Sequence, residues 1–411
     1  MNSGDTAWVL ASSALVLLMT VPALAFFYGG LVRRKNVLSL LMQCFIILCV
    51  ISLQWILYGY SLTFGPDAGH GLVGGLDWAG LRGVGGTPNP DYSATIPHSA
   101  YMIFQCMFAV ITPALIVGGF AERIKFSAFL LFTILWATFV YDPLGHWVWG
   151  AGGWLKHMGA LDFAGGIVVH TSSGVSALIM ALLIGRRIGF AEKSFRPHNL
   201  TLTVLGGTLL WFGWFGFNAG SALAANELAA NAFVATNTAT AAAGLTWALI
   251  EWQQHGAPTV LGGVTGAVAG LVAITPACGY VSPLSAMFIG ILVGIFCYLA
   301  VAQLKAALKY DDALDVFGIH GIGGIWGTIA TGLFAEKAIN EAGGNGLLFG
   351  DVHQFMVQLF LVVVAVSYAA VMTFIIYKFV DALVGIRVAN KDEIVGLDLS
   401  QQSEAAYTVI E

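Results

Sequence analysis

Charge is what this chain has least of: Asp, Glu, Lys and Arg make up 9% of its 411 residues, against about a quarter in soluble globular proteins. Hydrophobic residues reach 58%. This balance excludes a soluble domain and names lipid as the solvent. Cysteine is scarce too, and Cys44, Cys49, Cys106, Cys278 and Cys297 lie in apolar stretches without CxxC spacing. Packing is their expected role, rather than disulfides or a thiolate metal site. Met1 to Ala7 carries Asp5 but no Lys or Arg, so the basic region of a cleavable signal peptide is missing and the first apolar run is expected to be a retained span. No glycine cluster is followed by Lys-Ser/Thr at P-loop spacing, which argues against ATP-driven transport. Neither a cofactor nor a nucleic-acid partner is expected.

What is present is a series of apolar runs, each near the roughly 20 residues needed to cross the hydrocarbon. They predict spans at 8–32, 37–64, 98–120, 126–142, 162–185, 200–219, 227–252, 258–275, 284–304, 315–334 and 353–386. The expected fold is therefore an all-α polytopic membrane protein with 11 transmembrane helices over residues 1–386, followed by a polar tail over 387–411. Arg33, Arg34, Lys35, Arg123, Lys125, Arg186, Arg187, Lys193, Arg196, Lys305, Lys309, Lys378, Arg387 and Lys391 all follow odd-numbered spans. Only Arg82, Lys156 and Lys337 fall on the other face. The positive-inside rule then puts the N-terminus outside and the C-terminus in the cytoplasm. Pro22 and Pro113 interrupt spans one and three, as membrane helices tolerate when neighbours satisfy the freed backbone.

The 51 glycines include rows four apart: Gly262, Gly266 and Gly270; Gly290 and Gly294; Gly323 and Gly327. Such rows predict helices packed at close range. An internal echo is visible as well. Asp162-Phe163-Ala164-Gly165 precedes His170, and Asp315-Val316-Phe317-Gly318 precedes His320. Spans one to five and six to ten then read as two five-helix halves, the second inverted, with a site at their interface and a long final helix added.

Ionisable residues at lipid depth point to function. His170 and His320 stand in Val-Val-His-Thr and Gly-Ile-His-Gly surroundings at matching places in the two halves. Desolvation favours their neutral forms, which suits a small hydrogen-bonding solute and suits a bare cation poorly. Asp162 opens span five, as a helix cap, as an attractor of cations at the pore mouth, or as both. Aromatics gather near the outer ends of spans: Phe104 and Phe108, Trp149, then Trp211, Trp214, Phe215 and Phe217, with Ser221 just beyond. Belt and packing roles account for most such residues, and a few suffice for a cation-π site for ammonium. Asp311, Asp312 and Asp315 are expected as helix caps or as an inner vestibule leading to His320. Residues 121–125 and 196–199 read as cytoplasmic turns pairing with each other or with the tail.

Several stretches resemble the ammonium transporter family (Amt/Mep, related to the Rhesus proteins): Phe26-Phe27-Tyr28-Gly29-Gly30, Ala121-Glu122-Arg123, Asp162 through His170, Gly213-Trp214-Phe215-Gly216-Phe217-Asn218-Ala219-Gly220-Ser221, Thr275-Pro276-Ala277-Cys278-Gly279 and Asp315 through Gly321. They occur in family order from the first span to the last pore helix. The resemblance implies an external cation site at Phe108, Trp149 and Ser221, a stacked gate of Phe108 and Phe217, a buried Asp162, and twin histidines His170 and His320 with Phe104 and Trp214 along the pore. Trp149 and Ser221 point to the microbial and plant branch, with bacterial Amt type expected. The resemblance further implies a multi-pass inner-membrane homotrimer with one pore per subunit, and a PII-type signalling trimer as cytoplasmic partner. Nitrogen uptake by ammonium transport is the expected function, and the rival is an ammonium sensor acting through its tail. An enzyme with a histidine metal site is disfavoured, because catalytic metal usually needs three protein ligands and the spans offer no third.

Overall fold

Short polar side chains mark where the helices begin. Asn2, Asn199, Asn226, Thr259, Ser282 and Asp351 each accept a backbone N–H from the first turn of the helix that follows, which satisfies donors no intrahelical carbonyl can reach. In this computed structural model, which describes residues 1–192 and 195–407, the regular structure of the described residues is helical, with only isolated β-bridges. The long segments are α1 (Ser3–Leu31), α2 (Arg34–Phe64), α3 (His98–Phe120), α4 (Phe126–His157), α5 (Gly166–Ile184), α6 (Leu200–Gly220), α7 (Glu227–His255), α8 (Val260–Ile274), α9 (Pro283–Leu308), α10 (Phe317–Gly321 continuing as Ile322–Phe334) and α11 (Val352–Val384). Among the described residues nine of these are long and apolar enough to cross a membrane, and α8 is apolar but shorter. The chain is a multi-pass membrane protein.

The expected spans fall on these helices with shifted ends. Helix α1 starts at Ser3 rather than near residue 8, and α4 runs through a widened turn at Ala137–Tyr141 well past 142. Residues 162–165 precede α5 instead of opening it, because Asp162 uses its carboxylate to cap the helix from outside. Cys44, Cys106, Cys278 and Cys297 are buried, Cys49 is exposed, and all five are free thiols.

The glycine rows do what their spacing predicts. A Cβ at Gly270 or Gly290 would collide with the carbonyl of Ala239, one at Gly266 with the Trp247 side chain, and one at Gly327 with the carbonyl of Ala273. Helices α7, α8, α9 and α10 therefore approach until backbone meets backbone.

The two histidine helices cross at the centre, and the crossing is reciprocal. Gly174, four residues after His170, packs on the backbone of Gly321, while Gly324, four after His320, packs on Gly166 and Thr171. Each histidine sits in a widened turn, Gly166–Thr171 or Phe317–Gly321. Around the two histidines the local arrangement is shared, and the aspartate that matches Asp162 stands three residues before the expected Asp315. The partner of Asp162 is Asp312: Asp162 precedes His170 by the same interval as Asp312 precedes His320. The Asp162 carboxylate accepts the N–H of Ile167 at 2.9 Å, and the Asp312 carboxylate accepts that of Phe317 at 2.8 Å. Asp315 instead pairs with Lys305 at 2.5 Å.

One face gathers most of the basic residues. Arg33 and Arg187 pair with Glu122 at 2.7 and 3.1 Å, and Arg187 also grips Asp311 at 2.7 Å. Arg123 spends its donors on the carbonyls of Gly119, Ala121, Gly185 and Asp311. The described part of the tail, up to Tyr407, packs on this face. Glu393 accepts from Ile188 N at 2.6 Å and pairs with Arg387, Asp398 accepts from Ser39 N, and Asn36 accepts from Leu397 N. His198 meets Tyr407 at 2.9 Å. Lys193 lies outside the described residues. Of the two expected pairings, the turns at 121–125 and 196–199 make the one with the tail, through Ile124 beside Arg387 and His198 on Tyr407, and otherwise bond to other loops and, among the described residues, not to each other.

Burial pushes the Glu122 and Asp311 carboxyls up, but the arginines more than offset it, so both sit below the usual carboxylate range. Their contribution is complete above the ordinary carboxylate pKa and is lost as pH falls through the lowered folded values. Glu122→Ala leaves Arg33 without its carboxylate and Arg187 with Asp311 alone, and is expected to cost about 3 kcal/mol, read as a lower melting temperature of detergent-solubilised protein. Glu122→Gln is expected to flatten the acid limb of the melting-temperature profile. An unchanged acid limb would remove Glu122 from the clamp.

Candidate functional site

Three cavities lie in series through the interior. The first, of about 530 Å³, opens on the face opposite the tail and is lined by Phe108, Trp149, Asp162 and Ser221 together with Tyr92, Gln105 and Lys156. The second is a pinhole of about 10 Å³ between Phe217, Trp214, His170 and His320, with Leu115, Val169 and Val268 among its apolar walls. The third, of about 180 Å³, is on the tail side and runs from His320 to Asp315, Glu251 and Thr259. A void of roughly 10–15 Å³ just admits one water, so the middle stretch is narrow to the limit.

Phe108 and Phe217 separate the first cavity from the second. Their rings stack with centroids 4.1 Å apart at 27°, Phe108 facing the wide cavity and Phe217 the pinhole. Trp149 stands edge-on to Phe108 at 6.1 Å and 89°. Its indole N–H donates to the Asp162 carbonyl at 2.8 Å, which fixes the ring plane. Ser221 ends α6 and donates its hydroxyl to the Phe217 carbonyl at 2.8 Å, so its oxygen lone pairs stay free to accept.

Asp162 carries out the capping role in full. Its two oxygens accept from Gly165, Gly166, Ile167 and Val168 at 2.9, 2.6, 2.9 and 3.2 Å. Gly165 adopts φ 117°, a left-handed conformation that lets the chain fold back over the carboxylate. Asp162 also lines the wide cavity, so a carboxylate and a helix N-terminus, of opposite sign, share one spot.

The histidine rings meet Nδ1 to Nδ1 at 3.3 Å, with centroids 5.3 Å apart. One Nδ1 must donate and the other accept, which the neutral pair provides and a doubly protonated pair cannot. Trp214 stacks on His170 at 5.3 Å and 20°, and is itself anchored through its N–H to Thr275 at 2.8 Å. His170 Nε2 is buried with no partner among the described residues. It is a polar atom on an apolar path with an open hydrogen-bonding position.

The structure brings together Phe108, Trp149, Asp162, Ser221, Phe217, Trp214, His170 and His320. Phe104, one turn earlier on the same face of α3, packs beside Phe108 at 4.9 Å and against Gly220, and lines none of the three cavities. Phe215 faces away and stacks on Phe233 at 3.8 Å. Of the three aspartates expected before His320, Asp315 lines the tail-side cavity, Asp312 caps α10, and Asp311 is consumed by Arg187. Sequence reasoning quoted Thr275 only within a family-like stretch and missed its role, and it missed Gly174 altogether. The first is a buried anchor and the second a contact glycine, and only tertiary packing distinguishes either from its neighbours.

The model of a family described as "Ammonium Transporter Family" matches residues 7–407. The chain is similar to an ammonium transporter of Bacillus subtilis, 52% identical over 407 residues covering 99% of each chain. Its fold is similar to the crystal structure of Saccharomyces cerevisiae Mep2, with a TM-score of 0.89, 37% identity, and coverage of 95% of this chain and 89% of that one. It is also similar to a solved structure described as "Sensor Amt Protein", with a TM-score of 0.88, 29% identity, and coverage of 97% and 98%.

Removing the cap tests how the site is held. Asp162→Asn keeps one acceptor oxygen and is expected to cost about 1–2 kcal/mol, and Asp162→Ala more, since a lost cap and stranded buried donors add. Thermal melts ranked wild type, Asn, Ala are the expected result. Equal melting for all three would show that the carboxylate does not hold α5.

Proposed function

The chain belongs to the ammonium transporter family, and from that premise we propose that it takes ammonium at the wide aromatic cavity, removes a proton there, and conducts ammonia past the two histidines. The observation that carries this is the arrangement of cavities: a site of ring faces and a carboxylate on one side of a closed aromatic stack, and an apolar pinhole with an unpartnered histidine nitrogen on the other.

In the first step ammonium sits against the faces of Trp149 and Phe108 by cation-π attraction and donates to the Ser221 hydroxyl, while the Asp162 carboxylate biases the potential. Potassium is close to ammonium in size and charge, so a path for the intact ion would discriminate poorly between them. A path that requires a proton to leave excludes potassium outright. The proton passes to water in the open cavity, and ammonia rather than ammonium passes the Phe108/Phe217 stack, since the large desolvation cost of a bare ion opposes its entering the apolar stretch. Ammonia then exchanges hydrogen bonds with His170 and His320, as donor to one nitrogen and acceptor from another. The proton is left in the aromatic-side cavity or relayed along the histidine pair.

We extend the reading to the whole assembly. Eleven spans in two inverted halves plus α11 are supported by the opposed histidine helices, one starting from the aromatic side and the other from the tail side. The clustering of basic residues on the tail face supports an extracytoplasmic N-terminus, a cytoplasmic tail and a place in the cell membrane. The family resemblance supports a homotrimer with one path per subunit, and a PII-type partner whose loop enters the tail-side cavity. A sensing role is the second reading. It is favoured by the likeness to the sensor structure and by a tail that bonds to the first turns of α2, to the end of α5 and to the loop between α5 and α6.

Purified protein in liposomes is expected to carry ammonium and methylammonium and not potassium, read as internal pH change and current. His170→Ala with His320→Ala is expected to lower flux or to admit potassium. No flux above empty liposomes would sink the transport reading, and unchanged flux and selectivity in the double variant would take the histidines out of the mechanism.

A further inference from the structure

The aromatic-side cavity holds a cationic side chain that the path above does not use. Lys156 lies on the last helical turn of α4, Trp154–His157, and lines the same cavity as Phe108, Trp149, Asp162 and Ser221. Its Nζ donates to the backbone carbonyl of Trp149 at 3.1 Å and stands 5.8 Å from the centroid of the Tyr92 ring. A carbonyl oxygen and a ring face are the contacts an ammonium ion seeks, and here they hold a tethered alkylammonium beside the position proposed for the free one. Asp91 and Asp162 are the carboxylates on the same wall. Asp162 has its oxygens occupied by four N–H groups, and Asp91 is exposed.

We propose that Lys156 sets the affinity of this cavity for monovalent cations: its fixed charge beside Trp149 opposes the arriving ion and holds the site in a low-affinity range, with Asp91 as a partial counterweight. The inference rests on reading the cavity as the entrance for ammonium. At a separation of roughly 10 Å and an effective dielectric near 20, a unit charge changes the binding of another by several-fold or more. Because the cavity is open to solvent, salt weakens the effect. The charge acts on every monovalent cation alike. It therefore shifts ammonium and methylammonium by the same factor, which a distortion of the ring geometry would not do.

The test is initial flux against ammonium and methylammonium concentration in proteoliposomes, at about 10 mM and about 0.5 M ionic strength, which bracket weak and strong screening. Lys156→Gln and Lys156→Met are both expected to lower KM about fivefold at low salt with Vmax unchanged, and to converge on wild type at high salt. Lys156→Arg is expected to match wild type, and Asp91→Asn to raise KM. A Lys156→Gln KM equal to wild type at low salt overturns the proposal. So does a shift that persists at high salt, or a Met variant that differs from the Gln variant, since either result assigns the residue to the Trp149 contact and not to its charge. Trp149→Leu separates this idea from the reading beneath it. If KM moves with Trp149→Leu and not with Lys156→Gln, the role of Lys156 alone fails; if it moves with neither, the entrance reading fails and takes this inference with it.

Discussion

Everything at the centre depends on two helix backbones touching. Gly174 against Gly321, and Gly324 against Gly166 and Thr171, leave no space for even one methyl group, and only at that range do His170 and His320 reach each other across the axis at 3.3 Å. The widened turns that carry the histidines belong to the same solution. Widening frees backbone carbonyls and re-aims side chains, and Thr171 and Ser172 take up carbonyls of this stretch with their hydroxyls at 2.8 and 2.6 Å. A polar pair is thereby set into an apolar wall without leaving the surrounding backbone unpaired.

The distribution of charge follows from the same economy of polar groups. Ions line the two outer cavities and gather at the loops, while among the described residues no Asp, Glu, Lys or Arg lines the narrow middle stretch between them. On the tail face Glu122, Arg187 and Asp311 are buried but answer one another, and Arg123 is satisfied by carbonyls alone. Buried ions of this kind hold a particular arrangement more than they add stability. Here the arrangement held is the meeting of the ends of α1, α3 and α5 with the loop before α10, and the tail rests on that platform.

Much of this was legible in the sequence because lipid imposes simple rules. Apolar length located the helices, the bias of Arg and Lys grouped the loops, and the cost of an ionisable group at depth singled out His170 and His320. Other features were not legible, for stated physical reasons. The echo between the two histidine segments was placed on Asp315 because local letters match there, whereas the residue that caps as Asp162 does is Asp312, defined by which backbone N–H groups its carboxylate reaches. Phe104, Phe108, Trp214, Phe215 and Phe217 are chemically alike in sequence. Helix rotation decides that Phe108 and Phe217 face each other and that Phe215 turns outward to Phe233, and depth along α3 decides that Phe104, on the same face as Phe108, packs one turn away beside it.

The closed stack of Phe108 on Phe217 has a bearing on pace. With ring centroids 4.1 Å apart the stack closes the wide cavity off from the histidines; for a solute taking the proposed path, each crossing would wait for an aromatic side chain to turn aside and return. On the reading given above, traffic is then a sequence of separate openings, each admitting a single small molecule. Its ceiling is the frequency with which two rings swing, however abundant the solute waiting outside.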